Sequence, residues 1–243
     1  MIMTETYKEL LKGIDPSLVA YIEGTVIPRY AAFDKAHRED HARSVIERAL
    51  SMAYSMIDDG GSLSKGLGPY DSPLGSSTSV IDPNIVYAAA ACHDLGLAVD
   101  RATHHLESGK IIRADSFLRD FFSPEDLETV ARAAEDHRAS SKTEPRGIYG
   151  RLIAEADRII EPTTIIRRAV QYGLDNYPSL DVEGHWQRTF GHLKEKYGDG
   201  GYLKLWVPGS PNEARLEELR KIIRNPERLR TIFNSIWEEE KIT

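Results

Sequence analysis

Apolar residues recur along much of the chain at steps of three and four, the spacing of one buried face of an α-helix. Val45, Ala49, Met52 and Met56 form such a face, and His41 falls on it one turn earlier. Leu127, Val130, Ala134 and His137 make a second face by the same count, and Ile153, Asp157 and Ile160 a third. The run PNIVYAAAACHDLGL from Pro83 is nearly continuous in apolar and small residues, so it reads as a buried helix with His93 and Asp94 at its end. Helix starts are marked by a polar residue followed by proline at Asp15-Pro16, Asp82-Pro83, Ser123-Pro124, Ser210-Pro211 and Asn225-Pro226. Proline suits the first helical position, and the residue before it can accept a hydrogen bond from the exposed amides. With no clear alternating strand and no Asn-Gly hairpin signal, the predicted fold class is all-α, a helical bundle forming a single domain over 1–243.

Two stretches break the helical period. Residues 58–84, rich in Gly, Ser and Pro, read as a long loop, either a surface insertion or a lid over a site. Residues 198–211 read as a second loop before the last two helices.

Composition narrows the setting. A chain of 243 residues with 41% hydrophobic and 28% charged positions is ordinary for a globular protein with one good core. The N-terminal residues carry Glu5, Lys8 and Glu9 and do not read as a secretory signal, and no apolar run approaches the ~18 to 20 residues of a membrane-spanning helix. One cysteine, Cys92, excludes an internal disulfide and fits a reducing compartment. These readings predict a cytoplasmic protein without a membrane partner. The net charge of -7 and a pI near 5.7 argue against a broad surface for bulk nucleic acid, while leaving room for a local basic pocket for a small phosphate.

The polar residues on the apolar faces carry the candidate chemistry. His41, the pair His93-Asp94, His105, His137 and Asp157 follow one another on helical stretches. Imidazole nitrogens and carboxylate oxygens in a compact shell suit borderline divalent cations, and facing helices can bring them to one point. An aspartate on an apolar ladder needs such a partner. His37 reads as solvated, and His185 and His192 as structural or surface residues.

The order H…HD…D, in DHARSV around His41, AAACHDLGL around His93 and Asp94, and IAEADRII around Asp157, resembles the HD-domain superfamily of metal-dependent phosphohydrolases over roughly residues 33–161. That resemblance implies an HD-type helical bundle with a metal-site core at about 33–161 and a C-terminal helical extension over 162–243. It implies that His41, His93, Asp94 and Asp157 bind one metal. THHLESGKI resembles the segment in which dinuclear members carry a fifth ligand, which favours His105; His104 is its rival, because helical periodicity cannot separate neighbours when the helix start is uncertain. EDHRASS offers His137 as a sixth. With both, Asp94 bridges two ions, and Asp94, His105 and His137 are the catalytic candidates. The cofactor implied is one or two divalent ions of Mn, Fe, Mg or Zn.

Arg138, Lys110 and Arg146 are the candidates for gripping substrate, chosen with Arg113 by proximity in sequence, and Ser140, Ser141 and Tyr149 could add hydroxyl contacts. Leu97 stands where cyclic-dinucleotide and alarmone-cleaving relatives have a lysine three residues after the HD aspartate, and the long signature loop of the HD-GYP group is absent. The activity expected is cleavage of a phosphomonoester or nucleotide phosphate bond by metal-activated water, on a small phosphorylated metabolite or nucleotide. The rivals are a di-iron oxygenase on the same cage and a non-catalytic nucleotide-binding module.

Overall fold

The computed structural model describes residues 4–34, 37–58, 81–138 and 143–241. The expected loop over 58–84 lies, from 59 to 80, outside the described residues, as do Ser140 and Ser141. Among the described residues every regular element is helical, as expected. The α-helices are α1 (Glu5–Leu11), α2 (Pro16–Tyr21), α3 (Glu39–Asp58), α4 (Pro83–Cys92), α5 (His104–Ala114) and α6 (Ser116–Phe121). They continue with α7 (Pro124–Glu135), α8 (Ile148–Asp157), α9 (Pro162–Asn176), α10 (Val182–Tyr197), α11 (Pro211–Ile223) and α12 (Pro226–Glu240). No described helix is long and apolar enough to cross a membrane.

All five predicted proline starts open helices, at α2, α4, α7, α11 and α12. Asp15, Asp82, Ser123 and Asn225 each accept a hydrogen bond from a first-turn amide, a contact that stabilises a helix by about 1 kcal/mol. A sixth start, Glu161-Pro162, escaped the sequence reading because Glu is not a common cap. Its carboxylate accepts from the Thr163 and Thr164 amides all the same.

Where one domain was expected, the contacts gather into two compact units, residues 1–158 with 206–208, and residues 159–205 with 209–243. Each has its own apolar core. The first crossing, after Arg158, carries no Gly- or Pro-rich linker, and the other two lie within the 198–211 stretch that read as an ordinary loop.

In the first unit α4 is the central rod. Every residue from Ile85 to Cys92 is buried, and α3, α7 and α8 pack around it, with α5 against α7. The alanines 88–91 let the neighbouring helices approach closely, and each fully buried Ile, Leu or Val around them contributes about 1.5–3 kcal/mol. Tyr30, fully buried in a 3-10 stretch (Ile27–Ala32), donates its hydroxyl to Ala91 O at 2.8 Å and accepts from the Asp94 amide at 3.3 Å, which ties down the end of α4.

After Asp94 the chain makes a 3-10 turn (Leu95–Ala98) that lies directly on α5. A Cβ at Gly96 would stand 2.0 Å from His104 O and 2.7 Å from Ser108 N, both backbone atoms. Gly96→Ala is therefore expected to force the turn off α5 and destabilise the fold by about 2 kcal/mol or more, read as a lowered midpoint of thermal unfolding.

The second unit consists of α9 to α12 around Ile166, Leu193, Leu219, Leu229 and Phe233. Arg230 lies over the faces of Trp186 and Phe233, and Arg167 pairs with Glu239 and Glu240. His185 is buried against Trp237, with ring centres 4.8 Å apart.

Candidate metal centre

The residues that carry the site stand at helix ends. His41 is in the first turn of α3, His93 and Asp94 follow the last residue of α4, His104 opens α5, and Asp157 closes α8. His137 lies two residues beyond α7, so the helical count that put it on the α7 face ran past the true end of the helix. The same holds for Ile160 beyond α8.

These ends converge. On one side of Asp94, Oδ2 lies 3.5 Å from His41 Nε2 and 3.2 Å from His93 Nε2, and Asp157 Oδ1 completes the group at 3.3 Å from His41 and 3.7 Å from His93. On the other side, Asp94 Oδ1 lies 3.5 Å from His104 Nε2 and 3.4 Å from His137 Nε2. Within each of the triads His41, His93, Asp94 and Asp94, His104, His137, the donor atoms lie within 4.8 Å of one another. His93, Asp94 and His137 are almost wholly buried, while Asp157 keeps 22% of its side chain exposed.

The tautomers follow from the backbone. His93, His104 and His137 each donate Nδ1–H to the carbonyl three residues earlier, Ala90, Arg101 and Ala134, at 2.8, 2.8 and 2.6 Å. A carbonyl oxygen can only accept, so the proton of each neutral ring sits on Nδ1 and the Nε2 lone pair faces the cluster. This is the outer support that metal-binding histidines usually have. His104 Nε2 and His137 Nε2 then face each other at 3.1 Å, and His41 Nε2 and His93 Nε2 at 3.3 Å. For His104 and His137, two lone pairs at such a distance need a cation or a shared proton between them. Bond lengths of about 2.0–2.1 Å to one divalent ion bring two imidazole nitrogens to a separation of roughly 3 Å. The donor set therefore fits a divalent metal.

A family model, HD domain, matches residues 38–160, just over half of the chain, and spans the whole cluster from His41 to Asp157. The chain belongs to the HD-domain family. Neither the curated proteins nor the solved structures contain a match to it. HD domains bind divalent metals and are typical of metal-dependent phosphohydrolases, and the cluster in this HD domain is a set of residues that can hold such an ion.

One sequence preference is not what the structure brings together. His104, not His105, reaches the cluster of this HD domain. Thr103 precedes the helix and His104 is its first residue, so its imidazole can turn back to the Arg101 carbonyl while Nε2 faces Asp94. His105 is one step, about 100°, further round α5. Its ring centre is 5.7 Å from that of His104, and burial followed by Arg138 pushes its pKa down. The signal available was the Asp100-to-Thr103 turn, in which the Asp100 carboxylate accepts from the Thr103 amide at 2.9 Å and its hydroxyl at 2.5 Å, fixing where α5 begins.

The basic candidates separate. Lys110 pairs with Glu107 on the exposed face of α5, and Arg113 with Glu128 and Glu135. Arg146 is committed to the end of α7: its amide and Nε donate to Asp136 at 2.7 and 2.9 Å, and Nη2 to Glu135 at 2.6 Å and Arg132 O at 3.2 Å. These bonds hold the turn from which His137 projects, so the structure gives Arg146 a positioning task. The Tyr149 hydroxyl accepts a hydrogen bond from the Asp82 amide at 2.9 Å, at the start of α4. Arg138 alone of the three substrate candidates forms no ion pair among the described residues, and it lines a cleft beside His104. His37, read from the sequence as solvated, lines the same cleft.

The electrostatics of the metal-free cluster follow from its geometry. Burial would push His41 down, but hydrogen bonds to Asp157 and Asp94 outweigh it and raise the imidazole to about 9. Burial would raise Asp94, yet the facing imidazoles, His93 through its charge and His137 and His41 through hydrogen bonds from their protonated forms, hold it well below the usual carboxylate range. Asp157 is held at about 2 in the same way, chiefly by His41. At neutral pH, then, His41 carries a proton that an arriving cation must displace. Metal affinity is expected to rise by up to about tenfold per pH unit toward pH 9 and to level off above it, with calorimetry in two buffers reading proton release at pH 7. For the metal-free protein the sign is opposite. Because the folded pKa of His41 lies above its ordinary 6.5, its contribution to stability is complete below about pH 6.5 and fades as pH rises through about 9.

Proposed function

We propose that the chain is a metal-dependent phosphohydrolase acting in the cytoplasm on a small phosphorylated metabolite or nucleotide, in which Asp94 would be shared between two ions. The observation that carries this reading is the division of Asp94: one carboxylate oxygen faces His41 and His93, the other faces His104 and His137. His41, His93 and Asp157 would hold the first ion with Asp94 Oδ2, and His104 and His137 the second with Asp94 Oδ1. Bound there, a pair of divalent ions supplies a water of lowered pKa as nucleophile and draws charge from the attacked phosphoryl group.

The rest falls to the protein. The carbonyls of Ala90, Arg101 and Ala134 hold three imidazoles in the tautomer that offers Nε2. Burial of Asp94 and His137 keeps bulk water from the inner side of the cluster, while the partly exposed Asp157 and the cleft beside His104 leave approaches for a substrate. Arg138 adds a charged donor beside His104 that suits an anion.

The test is elemental analysis of protein purified without chelator, followed by phosphate-release assays with p-nitrophenyl phosphate and a nucleotide panel after loading with Mn, Fe, Mg or Zn. Two metal equivalents with metal-dependent phosphate release support the proposal. Metal-loaded protein that releases no phosphate from any member, or that consumes dioxygen with iron instead, overturns it.

A further inference from the structure

On its Asp94 Oδ1 side the cluster adjoins a cleft of about 540 Å³, within the range of small-molecule sites. His104 belongs to both: its Nε2 faces Asp94 and its ring lines the cleft. A group held at the cluster and a group held in the cleft can therefore belong to one molecule. Leu97 and Ala102 give the cleft an apolar wall, and Arg101 and Arg138 stand at its edge. Arg101 is occupied by Asp34 at 2.6 Å, and the Asp100 carboxylate is turned to Thr103. Arg138 is different. It is anchored by a single Nη1 donation to Ala102 O at 2.6 Å and forms no ion pair among the described residues, so its remaining guanidinium donors are open to an anion. A guanidinium presents paired N–H groups that match a carboxylate or phosphate.

We propose that this cleft is a subsite for a second anionic group of the substrate, so that the substrate class is a small phosphate ester bearing a further carboxylate or phosphate, gripped by Arg138. The inference rests on the phosphohydrolase reading for the group bound at the cluster.

Two non-hydrolysable probes of matched length test it by calorimetry on manganese-loaded protein: 3-phosphonopropionate, which carries a second anion, and propylphosphonate, which does not. The expected result is about tenfold tighter binding of 3-phosphonopropionate. In Arg138→Gln the ratio of the two affinities falls to near one, and Arg138→Lys, keeping charge without the fork, lies between. Equal affinities in the unaltered protein, or an unchanged ratio in Arg138→Gln, overturns the proposal. Circular dichroism accompanies each variant, and if Arg138→Gln does not fold, the Arg138→Lys ratio decides. Phosphate release from p-nitrophenyl phosphate is measured on the same preparations. Release with a ratio of one removes the subsite alone, whereas a tenfold ratio without release removes the phosphohydrolase reading and leaves the second-anion subsite standing.

Discussion

Asp94→Asn is expected to empty both halves of the centre at once, leaving close to no bound metal per chain and abolishing metal-dependent phosphate release. The amide has nearly the volume of the carboxylate, so the packing around the end of α4 is retained. Its chemistry changes on both sides. One oxygen becomes an NH2 that can only donate, facing either His41 and His93 or His104 and His137, and the negative charge that would oppose two cations is gone. With Asp94 only 3% exposed, water cannot stand in for the lost acceptor. Substitutions of outer supporting groups at metal sites cost roughly 10–100-fold; loss of a carboxylate shared by two ions is expected to exceed that. The loss belongs to the site rather than to the fold if the circular dichroism spectrum is kept. Two retained equivalents of metal in Asp94→Asn would remove the bridging role.

Much of this was legible because the burial of a polar side chain breaks an otherwise apolar pattern. His41 continues the α3 face, and His93-Asp94 ends a run so apolar that only a central helix could accommodate it. Asp157 interrupts the ladder of α8. What could not be read was geometry that depends on where a helix stops. The α7 period counts smoothly to His137, yet the helix ends at Glu135, and the ring reaches Asp94 only because the chain turns there and gives it the Ala134 carbonyl. The basic residues show a second limit. Lys110 and Arg146 are close to ligands in sequence, but carboxylates that neighbour them only after folding, or that lie a turn away, take up their charge. The two cores were hidden for a third reason, since the first crossing, from Arg158 to Glu161, shows no change in composition and the later crossings fall in a stretch, 198–211, that reads as a loop between helices.

The neighbours His104 and His105 offer the sharpest separation of pattern from geometry. His104→Ala is expected to lower metal content from two equivalents to about one and to weaken phosphate release strongly, whereas His105→Ala is expected to keep both equivalents. The difference rests on one peptide unit. As the first residue of α5, His104 can fold its Nδ1–H back to Arg101 O, and that bond aims Nε2 at Asp94 Oδ1 and at His137 Nε2, 3.5 and 3.1 Å away. His105 projects about 100° further round the helix, where burial and then the charge of Arg138 depress its pKa. Removing His104 leaves His137 and a single oxygen of Asp94 on that side, too few protein donors to retain a divalent ion against dialysis. The opposite group of His41, His93, Asp94 and Asp157 is untouched and would keep its own ion. Elemental analysis of the two variants, dialysed side by side with the unaltered protein, reads the result directly. An ion lost from His105→Ala and kept by His104→Ala would show that the motif position, and not the start of α5, selects the ligand.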